Sequence, residues 1–375
     1  MRLIATMGAS GIKHKHTYLV NDKSYKSELS FMALAKANNI TDIVVIGTEK
    51  SKESIQTVLD KNPNIEMVVI ESDNVEDVFQ KSLEYISQDT ILDLTQGYRH
   101  YPMLTLLASV FLQNSSSKNI KDIFYAQVED ENCQAYKESC KYRFTSLIKY
   151  LDIANMARII NTFNNTLLTL DYEINSNEFN QIKKGLNSVT SELFSNNFQG
   201  SKIKAEEIEK IVNQILEDRS LEIIEEHLIH LKKELQTIQN LIRIKESKTL
   251  LNVSKYFRKK GILLHSITLL YESMVAFLDE KINNQKCNTY KDKNGKIKNS
   301  DVYKRRNCLK LKMGNCNYYL YKNNIPKCQK YSNLLRKIDE LRNTSAHAHT
   351  TGTYQENLKE EIDKGISFLR PIIGG

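Results

Sequence analysis

Three short stretches of this sequence hold residues suited to acting on phosphate. Near the C-terminal end of the 375 residues stands Arg342-Asn343-Thr344-Ser345-Ala346-His347, a permanent cation and a titratable imidazole five residues apart. A histidine can move protons near neutral pH, and an arginine can stabilise a pentacovalent phosphate. Together they could cut RNA without metal, using the RNA's own 2′-hydroxyl as nucleophile. On an ideal helix, positions five apart diverge by roughly 140°. The pair therefore shares a face only if the helix ends or distorts between them, or if two copies of the motif meet across a dimer. Asn343, Thr344 and Ser345 favour a helix end, because such side chains compete for backbone hydrogen bonds. Taken alone, the six residues also read as two polar groups at a helix terminus.

The second stretch is Thr95-Gln96-Gly97-Tyr98-Arg99-His100, directly after the run TILDL and before Pro102. It offers a hydroxyl, an amide, a flexible glycine, a guanidinium and an imidazole. That set suits a ligand bearing phosphates and bases better than an apolar one. The bland alternative is a polar turn with Arg99 in a surface ion pair. The third is Gly8-Ala9-Ser10-Gly11 after the first apolar run, where backbone N–H groups could hold phosphates. It lacks the Gly-Lys-Ser/Thr of a P-loop and is not the dinucleotide fingerprint.

Other candidates are weaker. His14 and His16 form H-x-H in a basic loop, read as solvent-facing without further metal ligands. Cys287, Cys308, Cys316 and Cys328 are spaced 21, 8 and 12 apart, whereas structural zinc usually uses a closely spaced pair. Cys133 and Cys140 read as reduced thiols, and His227 and His230 as solvent-facing. No metal site is assigned.

The elements that must position these groups fall into two kinds. Residues 1–130 alternate between apolar runs and helical patterns, and from about residue 145 the strand signal vanishes. The runs are Arg2–Ala5, Asp42–Gly47, Met67–Ile70, Thr90–Leu94 and Asp122–Ala126. Such continuous runs suit strands covered on both faces. Val75, Val78, Phe79, Leu83 and Ile86 form one helical stripe, and Pro102 opens a helix to about Gln113. Alternation of this kind predicts an open, mainly parallel α/β sheet, whose ligands sit beyond the carboxyl ends of its strands. Residues 146–375 read as all helical, with stripes at 147–168, 178–194, 203–217 and 262–282. Leu221, Ile224, Leu228, Leu231, Leu235, Ile238 and Ile242 form a heptad seam that packs on a helix of this chain or of a second subunit. Leu334, Leu335, Ile338 and Leu341 mark a helix leading into Arg342, and Leu358, Ile362, Ile366 and Leu369 mark the last one.

Composition bounds the function. At 41% hydrophobic and 26% charged residues, the chain suits a soluble, cytoplasmic protein of two domains. The run PMLTLLASVFL is too short to span a bilayer. The net charge is +8, yet residues 281–337 hold 16 Lys/Arg against Asp292 and Asp301, so the remainder is net acidic. That segment also holds Tyr290, Tyr303, Tyr318, Tyr319, Tyr321 and Tyr331. Cations and aromatic faces fit single-stranded RNA; a solvated, lysine-rich insertion at about 283–330 fits equally well. Asn294-Gly295 within it is a tight-turn signal.

Taken in order, these features resemble the CRISPR-associated CARF–HEPN ribonucleases of type III systems. The resemblance rests on ATMGASG after the first strand, on D-x-T-x-G-x-R-x-x-P at Asp93, Thr95, Gly97, Arg99 and Pro102, and on R-x4-H at Arg342 and His347. It implies a Rossmann-like CARF domain at 1–145 and a helical HEPN ribonuclease domain at 146–375. It implies a homodimer that binds cyclic oligoadenylate across its two-fold axis. Binding would activate a composite, metal-independent site that cuts single-stranded RNA to 2′,3′-cyclic phosphate ends. Arg342 and His347 would be the catalytic pair, with Asn343 beside them. Gly8, Ala9, Ser10, Gly11, Thr95, Gln96, Gly97, Arg99 and His100 would contact the ring. The family usually has histidine where this chain has Gln96.

The resemblance implies no cofactor beyond the allosteric activator, with cyclic tetra-adenylate favoured over cyclic hexa-adenylate. It implies no membrane partner and no stable association with the interference complex. Slow cleavage of the activator by the CARF domain is a further expectation. Two alternatives stand beside it: a non-catalytic sensor that docks a partner or nucleic acid, and a nucleotide-dependent metabolic enzyme.

Overall fold

The structure, a computed structural model, describes residues 1–9, 14–71, 74–87, 89–115, 120–135, 137–217, 222–281, 289–291, 297–299, 328–346 and 352–373. The chain divides into two compact units. One comprises Met1–Arg158 with Asp171–Asn180; the other comprises Ile159–Leu170 with Gln181–Gly375.

The first unit is an α/β fold with a mainly parallel sheet. Its elements run β1 (Arg2–Met7), β2 (His16–Val20), β3 (Lys23–Ser27), α1 (Ser30–Asn38), β4 (Asp42–Gly47), α2 (Glu49–Ser54), α3 (Gln56–Leu59), β5 (Ile65–Val69), α4 (Val75–Tyr85), β6 (Thr90–Asp93), α5 (His100–Ser115), β7 (Ile120–Val128) and β8 (Lys141–Ser146). The strand order is β3-β2-β8-β7-β6-β1-β4-β5. The pairs β1–β4, β1–β6, β4–β5 and β6–β7 are all parallel.

Side-chain alternation explains how the sheet holds two layers of helix. Leu3, Ala5 and Met7 of β1, with Ile43 and Val45 of β4, pack in one core with Phe31 and Leu34 of α1 and Ile55 and Val58. Ile4, Val44 and Ile46 enter the opposite core with Val78 of α4 and Tyr101, Ala108 and Leu112 of α5. Each fully buried aliphatic side chain of this kind contributes about 1.5–3 kcal/mol.

The five apolar runs all become strands of this sheet. The β2–β3 hairpin and β8 add a mixed flank: β2–β3 and β7–β8 are antiparallel, whereas β2–β8 is parallel. The hairpin turns at Asn21 and Asp22, with φ of 47° and 61°. A two-residue loop with two positive φ values suits the right-handed strand twist, and Asn and Asp tolerate it.

Helices follow: α6 (Ile148–Thr166), α7 (Asn177–Phe194), α8 (Phe198–Glu217), α9 (Glu225–Gln239), α10 (Glu246–Lys259) and α11 (Leu263–Lys281). A short strand pair, β9 (Thr289–Lys291) and β10 (Ile297–Asn299), is antiparallel and flanks Asn294-Gly295. Then come α12 (Cys328–Ala346) and α13 (Gly352–Ile373).

From Ile224 to Ile238 the heptad seam is buried within the chain, while Ile242 lies beyond the end of α9 and Leu221 lies outside the described residues. Leu228, Leu231, Leu235 and Ile238 are buried on α9, which packs on α8 through its stripe Ala205, Ile208, Val212 and Ile215. A second core joins α10, α11, α12 and α13 around Leu270, Met274, Leu278, Ile338 and Ile362. Ser254 Oγ donates to the Ser266 carbonyl and Ser266 Oγ returns the bond, at 2.7 and 2.8 Å, so α10 and α11 pack closely.

Tyr331 corrects one expectation. It is fully buried and donates its hydroxyl to the Met274 carbonyl at 2.8 Å, so it belongs to the core and cannot stack on a base. Tyr303, Tyr318, Tyr319 and Tyr321, with Cys287, Cys308 and Cys316, lie outside the described residues. Among the described residues, no helix is long and apolar enough to cross a membrane.

Candidate functional site

The sheet changes direction between β1 and β6. From β1 the chain steps to β4 and β5 on one side, then returns to lay β6 and β7 on the other. Such a switch point opens a crevice beyond the carboxyl ends of the two central strands. The loop holding Gly8 and Ala9 leaves β1 there, and the loop from Thr95 to Arg99 leaves β6 beside it. Ser10 and Gly11 lie outside the described residues.

Bare backbone lets the two loops meet. A Cβ on Gly8 would stand 3.3 Å from the Gly97 carbonyl carbon. Gly97 has φ +124°, a backbone shape that L side chains rarely adopt, and a Cβ there would stand 2.8 Å from Thr6 Oγ1. That same Thr6 hydroxyl donates to the Gln96 carbonyl.

Asp93 anchors the β6 loop from below. It is buried; its Oδ1 accepts from the Thr95 amide at 2.9 Å and its Oδ2 from Ser30 Oγ at 2.7 Å. Burial pushes its carboxyl up from the ordinary value, against the pull of the bonds from Thr95 and Ser30. Thr95 Oγ1 accepts from the Ala126 amide at 2.9 Å. The Thr95 hydroxyl thus ties the loop to β7 as a brace.

Above the brace stands a set of polar and aromatic groups. Gln96 Oε1 is buried without a hydrogen-bond partner among the described residues. Arg99 is exposed, and no ion pair of its side chain appears among the described residues. Tyr98 and His100 stack with rings 12° from parallel and centroids 6.3 Å apart. Tyr101 meets His100 edge-on at 4.6 Å, and its hydroxyl is also buried and unpartnered. Cation, aromatic faces and unpaired polar atoms gathered at one strand end can hold a phosphate-bearing nucleobase ligand. The sequence reading gave Tyr98 no role within the loop and did not single out Tyr101, one residue beyond it.

The second candidate site lies at the end of α12. The helix runs through Arg342 to Ala346, so Asn343, Thr344 and Ser345 do not end it where the sequence suggested. Thr344 Oγ1 and Ser345 Oγ donate back to the Glu340 and Leu341 carbonyls at 2.9 and 2.7 Å, which satisfies these side chains inside the helix. Tyr354 of α13 also donates its hydroxyl to the Leu341 carbonyl, at 3.0 Å. His347 lies outside the described residues.

Arg342 is held on three sides. Its Nη2 is 2.8 Å from Asp339 Oδ1, its Nη1 is 3.8 Å from Glu272 Oε1, and its guanidinium carbon sits 4.3 Å from the Tyr271 ring centroid. Nη2 also donates to Asn343 Oδ1 at 3.2 Å. Burial first, with Asp339 next, pushes the Tyr271 hydroxyl up to about 12. A guanidinium has five N–H donors, so carboxylates on one edge can fix its plane while the other edge meets a phosphate. Asp339 stands one turn before Arg342, a spacing from which the pair was readable.

The other candidates have structural roles. His16 is half-buried and its Nδ1 accepts from the Cys140 amide at 3.1 Å, with burial and then His14 lowering its pKa. Cys133 and Cys140 form a disulfide, with Cα atoms 5.9 Å apart, which corrects the reduced-thiol reading. Spacing alone cannot report such a pairing. His227 is half-buried with an unpartnered Nδ1, and His230 is exposed. Among the described residues no three His, Cys, Asp or Glu side chains could hold a metal ion.

No protein-family model matches the sequence, and no curated protein matches it. Among solved structures the chain is similar to Csm6 of Enterococcus italicus bound to cyclic hexa-2′-fluoro-hexa-dAMP. The identity is 12% and the TM-score 0.42, over 99% of this chain and 95% of that one. At that distance the likeness assigns no residue its role.

Proposed function

We propose that the chain is a ribonuclease switched on by cyclic oligoadenylate, built from a CARF sensor at 1–145 and a HEPN domain at 146–375, and acting in type III CRISPR antiviral defence as a cytoplasmic homodimer. The observation that carries this reading is the meeting of two glycine loops at the β1–β6 switch point. Gln96, Arg99 and His100 stand there with polar atoms to offer. Gly8, Ala9, Ser10 and Gly11 supply backbone donors, and Thr95 and Gly97 fix the loop that presents the side chains. A two-fold ring matches a two-fold dimer, and the tetra-adenylate is favoured over the hexa-adenylate.

In the HEPN domain Arg342 and His347 cut single-stranded RNA. His347 takes the proton of a 2′-hydroxyl as its oxygen attacks the adjacent phosphorus. The O2′–P bond forms, the P–O5′ bond breaks, and the 5′-oxygen leaves with a proton drawn from water. The product ends are a 2′,3′-cyclic phosphate and a 5′-hydroxyl. Arg342, oriented by Asp339, Glu272 and Asn343, stabilises the charge on the equatorial oxygens. No metal enters this scheme.

Mass spectrometry of RNA fragments made with and without cyclic tetra-adenylate tests the reading. Ring-dependent 2′,3′-cyclic phosphate ends are expected; 3′-hydroxyl ends, or ring-independent cutting, would contradict it. Chromatography of the ring after long incubation tests whether the CARF domain also degrades its activator; an intact ring would remove that idea.

A further inference from the structure

A cavity of about 560 Å³ lies along α9 and α10 and the turn between them. Its lining includes Lys233 of α9, Arg243 of the turn and Lys255 and Lys259 of α10, with the amides of Asn240 and Asn252. No lining residue is acidic. All four cations are exposed, and among the described residues none of them makes an ion pair. By contrast Lys260, just past the end of α10, is paired: its Nζ meets Glu234 Oε1 at 2.5 Å. Lys255 and Lys259 stand one turn apart, about 6 Å along the helix. Four unneutralised charges around one cavity repel one another unless an anion joins them.

The rest of the lining narrows the class of anion. Tyr256 is buried and gives its hydroxyl to Glu234 at 2.5 Å, so it offers no free face for a base. Gln236 gives its amide to Glu209 at 2.7 Å. Leu241 is the single aliphatic residue of the lining, too little to anchor a peptide or a lipid surface. Asn252 donates to the Leu241 carbonyl at 3.2 Å and keeps a second N–H. Cations with a few amides and no stacking platform suit phosphates and ribose hydroxyls, read without regard to base sequence.

We propose that this groove is a capture site for the phosphate backbone of single-stranded RNA, distinct from the Arg342 corner and indifferent to sequence. It extends the ribonuclease reading above by giving the substrate a second hold on the helical unit. Phosphate is the shared chemistry of RNA and of small polyphosphates, so the test separates the two.

Equilibrium binding of a fluorescent single-stranded RNA to the full chain, measured across a salt series, decides the matter without cleavage. Lys255→Gln/Lys259→Gln is expected to lower affinity at least ten-fold at low salt. It is also expected to flatten the slope of log K against log salt by about 1.4, or 0.7 per cation removed. Lys202→Gln/Lys204→Gln is the control of equal charge, because those lysines pair with Glu206 and Glu207 on α8; it should leave affinity within two-fold. An unchanged slope in the groove variant would overturn the proposal. So would displacement of RNA by inorganic tripolyphosphate at equal phosphate concentration, which would make the groove a small-ligand site. Absence of RNA cleavage with a groove-dependent affinity would overturn the ribonuclease reading and leave the groove standing.

Discussion

Around Gly97 the polar atoms that set the geometry belong to backbone and to short, buried side chains; around Arg342 they belong to long, half-exposed ones. Asp93 accepts from the Thr95 amide and from Ser30, Thr95 accepts from the Ala126 amide, and Thr6 donates to the Gln96 carbonyl, all under the β6 loop. Arg342 instead relies on Asp339, Glu272 and the Tyr271 ring, with about a quarter of its side chain exposed. The first arrangement depends on close shape, the second on charge and an aromatic face. Substitutions should therefore act on the first through folding and on the second through activity.

The largest expected effect is on activity. Arg342→Ala should lower ring-stimulated RNA cleavage by about 10²–10³-fold, the loss typical of removing one transition-state donor, with an unchanged thermal melt. Arg342→Lys should recover little of it, because a point charge cannot reproduce the planar fork. A melt shifted by several degrees in either variant would show the corner to be structural and erase the contrast.

Next comes Gly97→Ala, which forces a side chain onto a φ of +124° and against Thr6 Oγ1. A loss of about 1–3 kcal/mol in urea unfolding is expected, with ring affinity falling as well. A neutral result would mean that the loop relaxes freely and that the shape-dependent half of the comparison is wrong.

Asp93→Asn sharpens the same half through pH. The Asp93 carboxyl is raised above its ordinary 3.8 by burial. The unfolded chain therefore gives up this proton first, and the carboxyl destabilises the fold as pH rises from 3.8 through the folded value. The variant should lack that slope, so its unfolding midpoint should fall less than that of the parent over the window. Parallel curves would contradict the assignment.

The smallest effect belongs to Tyr271→Phe. The ring face over which Arg342 sits remains, and only the hydroxyl goes. Cleavage should change less than about three-fold, since the cation–π attraction resides in the ring. A larger loss would give the hydroxyl a role in orienting Asp339.

How much of this was readable beforehand follows from the same contrast. The five strands of the parallel core were legible because Val-, Ile- and Leu-rich runs have few other uses. The β2–β3 hairpin and β8 were not, since HTYLV, KSYKS and KYRFTS carry polar residues suited to a sheet's flank. Only the Asn21-Asp22 turn could have marked the hairpin. The motif residues around Gly97 suggested a ligand loop, yet nothing in sequence says that Thr95 would turn its hydroxyl to β7. Arg342 was singled out from sequence, but its contacts from α11 were not: Glu272 and Tyr271 meet it through helix packing. The Cys133–Cys140 bond is equally a matter of how β7 and β8 bring two chain segments together.

The central claim is that a ring bound at the switch point releases metal-free RNA cleavage by Arg342 and His347. The most direct test is cleavage of a fluorogenic single-stranded RNA in EDTA. It would be run without activator, with cyclic tetra-adenylate and with cyclic hexa-adenylate, each beside His347→Ala. Cleavage with the tetra-adenylate alone, abolished in His347→Ala, is the predicted result. Measurable ring binding with no cleavage in any tube would contradict the claim and make the chain a sensor without a nuclease.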